Sequence, residues 1–204
     1  MSTVYNQRYD KSELYWGDKP SSMAFRILES KPPTSQLHLL DVGCGEGKDA
    51  IFFARNGYQI SAFDAAEVGI AKAQEVSSSL NLEIDFQVAD INEYQPQETF
   101  DVVFSSGVLQ YLRPNLRKPF IDSLKNKTTA NGIHVLHTFV SKPFLERAPD
   151  AEASEALWSS GELMSLYHDW QIEWSVEEIK DCMSSGVPHR HAHNRILARK
   201  VGRQ

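Results

Sequence analysis

A glycine-rich segment at positions 41–47, DVGCGEG, constrains the fold of this chain more than any other part of the sequence. It follows the apolar run 37–40 and precedes the stretch 50–54, whose apolar residues have helical spacing. Glycines let a backbone approach a ligand closely and adopt positive φ angles without steric cost. The following helix presents N–H groups and the positive end of its dipole. A buried strand that enters such a turn and then a helix is typical of a nucleotide-binding site.

Two carboxylates follow later strands in the same way. Asp64 comes directly after the apolar strand 59–63, at the spacing where an acid meets a ribose hydroxyl. Asp90 comes directly after a third strand, 84–89. The glycine spacing lacks the third glycine of the dinucleotide fingerprint, so the pattern disfavours an NAD-dependent oxidoreductase.

Strands and helices are predicted to alternate along the chain, which indicates βαβ units and a mostly parallel sheet with helices on both faces. The fold class predicted is α/β, a doubly wound sheet of Rossmann-like type. Its seven strands are predicted at 37–42, 59–63, 84–89, 100–105, 132–140, 170–176 and 195–200. Its helices are predicted at 21–30, 47–56, 66–80, 114–127 and 160–168. Ligands bind at the carboxyl ends of strands in such sheets, where Gly43, Asp64, Asp90 and Ser106 all fall.

The composition predicts one globular domain spanning 1–204, with no part of it in a membrane. No apolar run reaches the roughly 18 residues of a membrane-spanning helix, and the polar N-terminus does not resemble a signal peptide, so the cytoplasm is the expected compartment. A net charge of −6 disfavours a nucleic-acid partner and suits a small-molecule substrate. Two cysteines are too few for a disulfide framework. The oligomeric state is left open between monomer and homodimer.

These features together resemble the class I methyltransferases that use S-adenosylmethionine (SAM) and release S-adenosylhomocysteine (SAH). The resemblance implies that the glycine turn lies against the amino-acid part of SAM. It also implies that Asp64 holds the ribose, that Asp90 lies near the adenine, and that residues 1–30 cover the cofactor. The cofactor-binding residues implied in this way are Tyr15, Trp16, Gly43, Cys44, Gly45, Asp64, Ala65, Asp90, Ile91 and Ser106.

The C-terminal half resembles the tellurite-resistance branch of that family. Three pieces carry the likeness: SSGELMSLYHDW at 159–170, the pair His189 and Arg190, and Asn194-Arg195 leading into LARK. The resemblance implies that His189 and Arg190 hold the methyl acceptor, a small oxyanion of tellurium or selenium. Arg195 joins them if a few residues are deleted between the pair and Asn194. Arginine suits an oxyanion through paired hydrogen bonds, whereas histidine either binds the anion or accepts a proton from a thiol or hydroxyl acceptor.

Several alternatives stay open at this stage. His189, His191 and His193 alternate and would share one strand face, where imidazoles can bind a metal, although methyl transfer needs none and no metal ligands are assigned. Tyr15 and Trp16 either attract the sulfonium through their ring faces or pack on a helix. Segment 141–160 is either a lid that selects the substrate or a solvated insertion. The competing functions are a methyltransferase for another small metabolite and a SAM-binding module without catalysis.

Overall fold

The structure is a computed structural model that describes residues 2–149, 151–152, 155–183 and 186–202. Within these ranges the chain forms one sheet of seven strands with helices packed on it, and no helix there is long and apolar enough to cross a membrane. The strands are β1 His38–Val42, β2 Gln59–Asp64, β3 Ile84–Val88, β4 Phe100–Ser106, β5 Thr128–Val140, β6 Gln171–Cys182 and β7 His189–Arg199. The helices are α1 Ser2–Tyr9, α2 Ser22–Ser30, α3 Lys48–Arg55, α4 Glu67–Ser79, α5 Arg117–Asn126 and α6 Glu162–Ser165.

The strand order is β3-β2-β1-β4-β5-β7-β6. The first five strands of the chain pair in parallel, whereas β7 lies antiparallel to β5 and β6 lies antiparallel to β7. The order reverses beside β1, which places the switch point of the doubly wound sheet at the end of the glycine-rich strand. The predicted doubly wound, mostly parallel seven-stranded fold is therefore confirmed.

Two apolar cores cover the two faces of the sheet. One contains Leu39 and Ile60 from the strands with Phe53 from α3, and the other contains Leu40 and Val103 with residues of α5. Neighbouring residues of β1 thus point into different cores, as alternation along a strand requires. Burial on both faces explains why the central strands read as continuous apolar runs.

The C-terminal elements differ most from their predicted bounds. Strand β7 begins at His189, six positions before the predicted 195, and β6 continues to Cys182 rather than ending at 176. Cross-strand ion pairs such as Arg195 with Glu178 join the two strands, so polar residues that read as a loop are held in the sheet. The predicted helix 160–168 is reduced to the single turn α6, which opens after a positive-φ glycine at position 161.

Segment 141–160 is anchored at its far end by Trp158. This side chain is fully buried, and its indole N–H donates to the carbonyl oxygen of Leu109 at 2.9 Å. A short bridge between Trp158 and Val140 also aligns the end of the segment with β5. The segment therefore leaves the sheet and returns to it, and of its described residues Ala151 and Glu155 lie near the carboxyl ends of the parallel strands.

Candidate active site

A cavity of about 400 Å³ lies at the carboxyl ends of the parallel strands. Its walls come from the ends of β1, β2 and β4, from the antiparallel end of the sheet, and from the N-terminal segment. This size lies within the range of roughly 300–1,000 Å³ typical of small-molecule sites. Its lining includes Tyr5, Arg8, Tyr9, Tyr15, Trp16, Asp41, Gly43, Cys44, Gly45, Asp64, Ala65, Ser106, Tyr111, His137, Phe139, Lys180, Cys182, His191 and His193.

The glycine turn forms the floor of one end of the cavity. Gly43 has φ +73° and Gly45 has φ +56°, a region in which side chains are strained. A Cβ at Gly43 would lie 2.6 Å from the Val108 side chain, and one at Gly45 would lie 2.8 Å from the Tyr9 hydroxyl. The N–H groups of Gly43 and Cys44 both donate to the Phe63 carbonyl, which fixes the turn against β2. Only glycine satisfies both the backbone angle and the close approach here.

Asp64 joins this turn to the next helix. Its carboxylate accepts the N–H of Gly45 at 2.9 Å and the N–H of Ala66 at 2.8 Å, one on each oxygen. Burial raises the pKa of the carboxyl group, and these backbone donors partly offset the effect. Each carboxylate oxygen has a second lone pair, so Asp64 can still accept hydrogen bonds from the two hydroxyls of a ribose. Ala65 lies beside it in the cavity wall.

Asp41 has a buried carboxylate oxygen whose hydrogen-bonding capacity is not used within the described protein. Its side chain is buried, and Oδ2 has no hydrogen-bond partner among the described residues. Burial raises the pKa of this carboxyl group well above its ordinary value, with the nearby carboxylates Asp49 and Asp64 acting in the same direction. An uncompensated buried carboxylate is costly. A cationic ligand group in the cavity would supply the partner that the protein does not.

An aromatic cluster from the N-terminus closes this end of the cavity. Tyr9 is buried, and the indole N–H of Trp16 donates to its hydroxyl at 3.2 Å. Tyr15 lies edge-on to Trp16 with ring centroids 4.7 Å apart, and its backbone N–H donates to Glu46. The cofactor role of Tyr15 and Trp16 stays a prediction. Both line the cavity and also pack around Tyr9 of α1.

A pair of stacked imidazoles occupies the opposite end. Nε2 of His137 on β5 lies 2.8 Å from Nδ1 of His193 on β7, and the rings are nearly parallel. Burial lowers the pKa of His137 well below its usual value and lowers that of His193 to about 4. Arg195 and His191 nearby add to the effect on His193. The pair is therefore uncharged at neutral pH, with Phe139 packed against both rings.

The predicted acceptor residues do not share this chamber. Arg190 lies on the face of β7 opposite His191 and lines an adjoining cavity, which shares Phe139 and His191 with the main one. Arg195 forms an ion pair with Glu178, and His189 lies 2.9 Å from His191 near the end of the hairpin. None of these three residues is in the lining of the main cavity. Alternation along β7 places Arg190 on the face opposite His191 and His193. His189 and Arg195 share the face of those two histidines, but their side chains contact Val187 and Glu178 instead. Their role in acceptor binding stays a prediction.

Asp90 and Ile91 also lie outside the main cavity lining, unlike Ser106. The Asp90 carboxylate accepts the backbone N–H of Asn92 at 2.8 Å and its side-chain N–H at 2.9 Å, so it closes the turn after β3. Ile91 is buried in the core. Asp90 lines a second cavity on the β3 side of the sheet. Their place in cofactor binding remains a prediction.

The sequence assigned no role to Asp41 or His137, and it predicted residues 1–30 as a cover over the cofactor without predicting the helix α1. Asp41 stands inside the glycine motif, and its position at the end of a buried strand was a usable signal. His137 gave none, because its contact with His193 depends on the register between β5 and β7. Tyr5 and Tyr9 were part of an aromatic-rich segment, but their place over the cavity follows from how α1 packs on α4.

Comparison with known proteins gives a family match over most of the chain. A family model described as tellurite resistance protein TehB matches residues 11–196. A curated relative from Haemophilus influenzae, named probable S-adenosyl-L-methionine-dependent methyltransferase TehB, is 26% identical over 166 residues, covering 80% of this chain. The alignment covers 57% of that relative, so this chain spans less than two thirds of its length.

Solved structures share the fold. The crystal structure of TehB from Haemophilus influenzae aligns with a TM-score of 0.77 at 22% identity, covering 98% of this chain and 66% of that one. The N-methyltransferase NodS from Bradyrhizobium japonicum, solved in complex with SAH, aligns with a TM-score of 0.71 at 13% identity, covering 98% of this chain and 97% of that one. At these identities the likeness establishes the architecture.

Proposed function

This chain belongs to the TehB family of tellurite resistance proteins, and from that premise we propose that it is a SAM-dependent methyltransferase acting on a small soft nucleophile. The observation that carries the proposal is the chemistry of the cavity's two ends. One end has a glycine cradle with the buried carboxylate of Asp41 and the partly buried carboxylate of Asp64, and the other has an uncharged imidazole pair. The glycine end suits a ligand made of an amino acid joined to a nucleoside, as SAM is. The imidazole end suits a small methyl acceptor.

The donor end fits SAM by charge and by shape. The unpartnered Oδ2 of Asp41 suits the ammonium group of the amino-acid part, which would neutralise a buried carboxylate. Asp64 accepts hydrogen bonds from the ribose hydroxyls. Because Gly43 and Gly45 have no side chains, the amino-acid part of SAM can lie close to the turn. The rings of Tyr15 and Trp16 present faces that attract a sulfonium. Each group matches a different part of the donor, so the fit does not depend on one contact.

Alignment is the main catalytic task of the residues around the reacting atoms. When bound, SAM supplies an electrophilic methyl group on a positively charged sulfur. The cavity walls hold donor and acceptor in contact and exclude water, an effect that can lower the barrier by about 7–11 kcal/mol. We place the acceptor against His137, His193 and Phe139, at the end of the cavity away from the glycine turn.

The imidazole pair favours an acceptor that brings its own proton. Because both rings are uncharged at neutral pH, they lack the fixed positive charge that a bound oxyanion requires. Lys180 and Arg8 also line the cavity; Arg8 is paired with Glu152, and Lys180 shares Glu178 with Arg195. A thiol or selenol instead binds in its neutral form, and its proton passes to His193 as the sulfur or selenium atom takes the methyl group and SAH leaves. Oxyanions of tellurium and selenium are the alternative methyl acceptors at this end of the cavity.

Calorimetry and product assays test the proposal together. We expect SAM and SAH to bind the protein and NAD not to bind. Incubation with SAM and separate thiol, selenite and tellurite acceptors should then release SAH, with thiols giving the highest rate. NAD binding without SAM binding would contradict the donor assignment. SAM binding with no SAH from any acceptor would instead indicate a binding module without catalysis.

Matched histidine variants test the acceptor chamber. His193→Gln should lower the rate with a thiol at least tenfold, because the proton acceptor is lost, while SAM affinity changes less than twofold. His168→Gln, at an exposed site on the turn after α6, is the control and should leave both unchanged. Arg190→Ala tests the acceptor residue predicted from the sequence. A larger loss of rate in Arg190→Ala than in His193→Gln would indicate that the acceptor binds in the neighbouring cavity.

A further inference from the structure

Three potential metal ligands meet where the β6–β7 hairpin reaches the main cavity. Sγ of Cys182 and ring nitrogens of His189 and His191 all lie within 4.8 Å of one another. Cys182 and His189 are direct cross-strand partners, and His191 lies two residues further along the same face of β7. The antiparallel pairing fixes the backbone positions of all three, so the cluster follows from the register of the hairpin.

The hydrogen bonds of His189 select the nitrogen that would bind an ion. Its Nδ1 lies 2.8 Å from the carbonyl oxygen of Val187, so Nδ1 carries the proton and donates. Nε2 is then the lone-pair nitrogen, and it lies 2.9 Å from Nε2 of His191. A backbone carbonyl that accepts the second ring N–H is the usual device that orients a metal-binding histidine.

From this arrangement we propose that Cys182, His189 and His191 bind a zinc-like divalent cation. One thiolate with two imidazoles is a ligand set that zinc prefers in tetrahedral sites. Tetrahedral bond lengths require about 3.3 Å between the two nitrogens and about 3.6 Å between sulfur and nitrogen. Side-chain adjustments of about 1 Å reach that geometry, with the His191 proton moving to its other nitrogen.

The fourth coordination position would face the main cavity. Cys182 and His191 both line that cavity, and three protein ligands with one open position are the arrangement of catalytic zinc sites. The nearest lysine along β6, Lys180, forms an ion pair with Glu178 at 3.1 Å, which reduces its repulsion of a cation. An ion placed there could bind the sulfur of a thiol acceptor as it loses its proton, a consequence that rests on the proposed function, whereas the metal site itself does not.

Cobalt and zinc binding to the full chain test the site without any activity measurement. Metal-free protein should bind one Zn²⁺ per chain in competition with a chromophoric chelator. Replacing Zn²⁺ with Co²⁺ should give the near-ultraviolet charge-transfer absorption of a cobalt thiolate. Cys182→Ser should abolish that absorption, and His191→Gln should weaken Zn²⁺ binding at least tenfold. Circular dichroism confirms that each variant is folded.

Two matched controls identify the ligands. Cys44→Ala removes the other cysteine of the chain, and His168→Gln removes an exposed histidine outside the cluster; both should retain Zn²⁺ binding and the cobalt absorption. Absence of stoichiometric binding, or binding that survives both Cys182→Ser and His191→Gln, would overturn the proposal. Calorimetry with SAM on the metal-free protein separates the two hypotheses. SAM binding without metal binding removes only the metal site, and metal binding without SAM binding removes only the proposed function.

Discussion

At the scale of single residues, Asp41 is under two opposing demands. Its carboxyl group is buried, accepts the backbone N–H of Ala50, and still leaves Oδ2 without a partner among the described residues. Such a group destabilises the free protein, because ionisation in a buried site lacks the solvation that water provides. The same group becomes favourable once a cation binds beside it. We expect such a residue at a position where the amino acid contributes to ligand binding rather than to the stability of the fold.

Asp41→Asn should separate these two effects. The amide is neutral, so we expect the free energy of unfolding in urea to stay equal to the wild-type value or to rise. SAH affinity measured by calorimetry should fall about 10- to 100-fold, because a hydrogen bond to a charged group contributes roughly 1.5–3 kcal/mol. Asp85→Asn on β3, an exposed acid, is the control and should change neither quantity. Unchanged SAH affinity in Asp41→Asn would show that the carboxylate does not contact the ligand.

The residues predictable from the sequence were those fixed by local geometry. Gly43, Gly45 and Asp64 belong to strand–turn–helix patterns whose chemistry is readable from spacing, and the structure places all three in one cavity. Arg190 was placed by resemblance, but a side chain on a strand points to one of two faces according to where pairing begins. The sequence did not reveal that β7 begins at His189. The face of the sheet on which Arg190 lies therefore depends on the register between distant strands, which local motifs do not reveal.

At the scale of elements, α1 and segment 141–160 meet over the cavity at Tyr111. The hydroxyls of Tyr5 and Tyr111 lie 3.0 Å apart, and the Tyr111 hydroxyl is 3.3 Å from carboxylate oxygens of Glu152 and Glu155. Arg8 forms an ion pair with Glu152 at 3.1 Å. Burial raises the pKa of Tyr5 to about 12 and raises that of Tyr111 further, so both remain hydrogen-bond donors over the ordinary pH range. These contacts join two elements that are distant in sequence.

Glu152→Gln tests whether this contact controls access to the cavity. Glu152 is absent from the cavity lining, so the change removes the charge that holds Arg8 without altering a residue in contact with the ligand. We expect SAH to dissociate two- to tenfold faster in stopped-flow measurements, because the cover opens more often. Glu146→Gln, an exposed acid on the same segment, should leave the rate unchanged. Equal dissociation rates in all three proteins would indicate that α1 and the segment do not act as a lid.

Element boundaries were predictable where apolar periodicity was strong. The predicted strand 59–63 and helix 21–30 agree with β2 and α2 to within one residue, because each follows from buried apolar residues flanked by turn signals. Strand β6 carries acidic residues between half-buried ones, and ion pairs compensate for them: Arg199 of β7 with Glu173, and Lys142 of segment 141–160 with Glu177. These partners lie far apart in sequence, so the full length of β6 was not readable from it.

At the scale of the whole molecule, buried ionisable groups give opposing dependences of stability on pH. Burial lowers the pKa of three histidines, His134 to about 3, His193 to about 4, and His137 well below its usual value. Below about pH 6.5 the unfolded chain holds more protons on these rings than the folded chain, so acid favours unfolding through them. Burial raises the pKa of Asp41 and Asp64, and these acids act with the opposite sign.

His134→Gln isolates one histidine from this balance. His134 is fully buried, with Nε2 2.7 Å from the Thr128 hydroxyl and Nδ1 2.6 Å from the Tyr167 hydroxyl. Its neutral form is favoured in the fold, so between pH 6.5 and 5 it should contribute about 2 kcal/mol of the acid-induced loss in the free energy of unfolding. Urea titrations at both pH values should show that loss smaller by this amount in His134→Gln than in wild type. The exposed His168→Gln should keep the wild-type difference, and an equal loss in His134→Gln would mean that the ring is protonated in the folded chain.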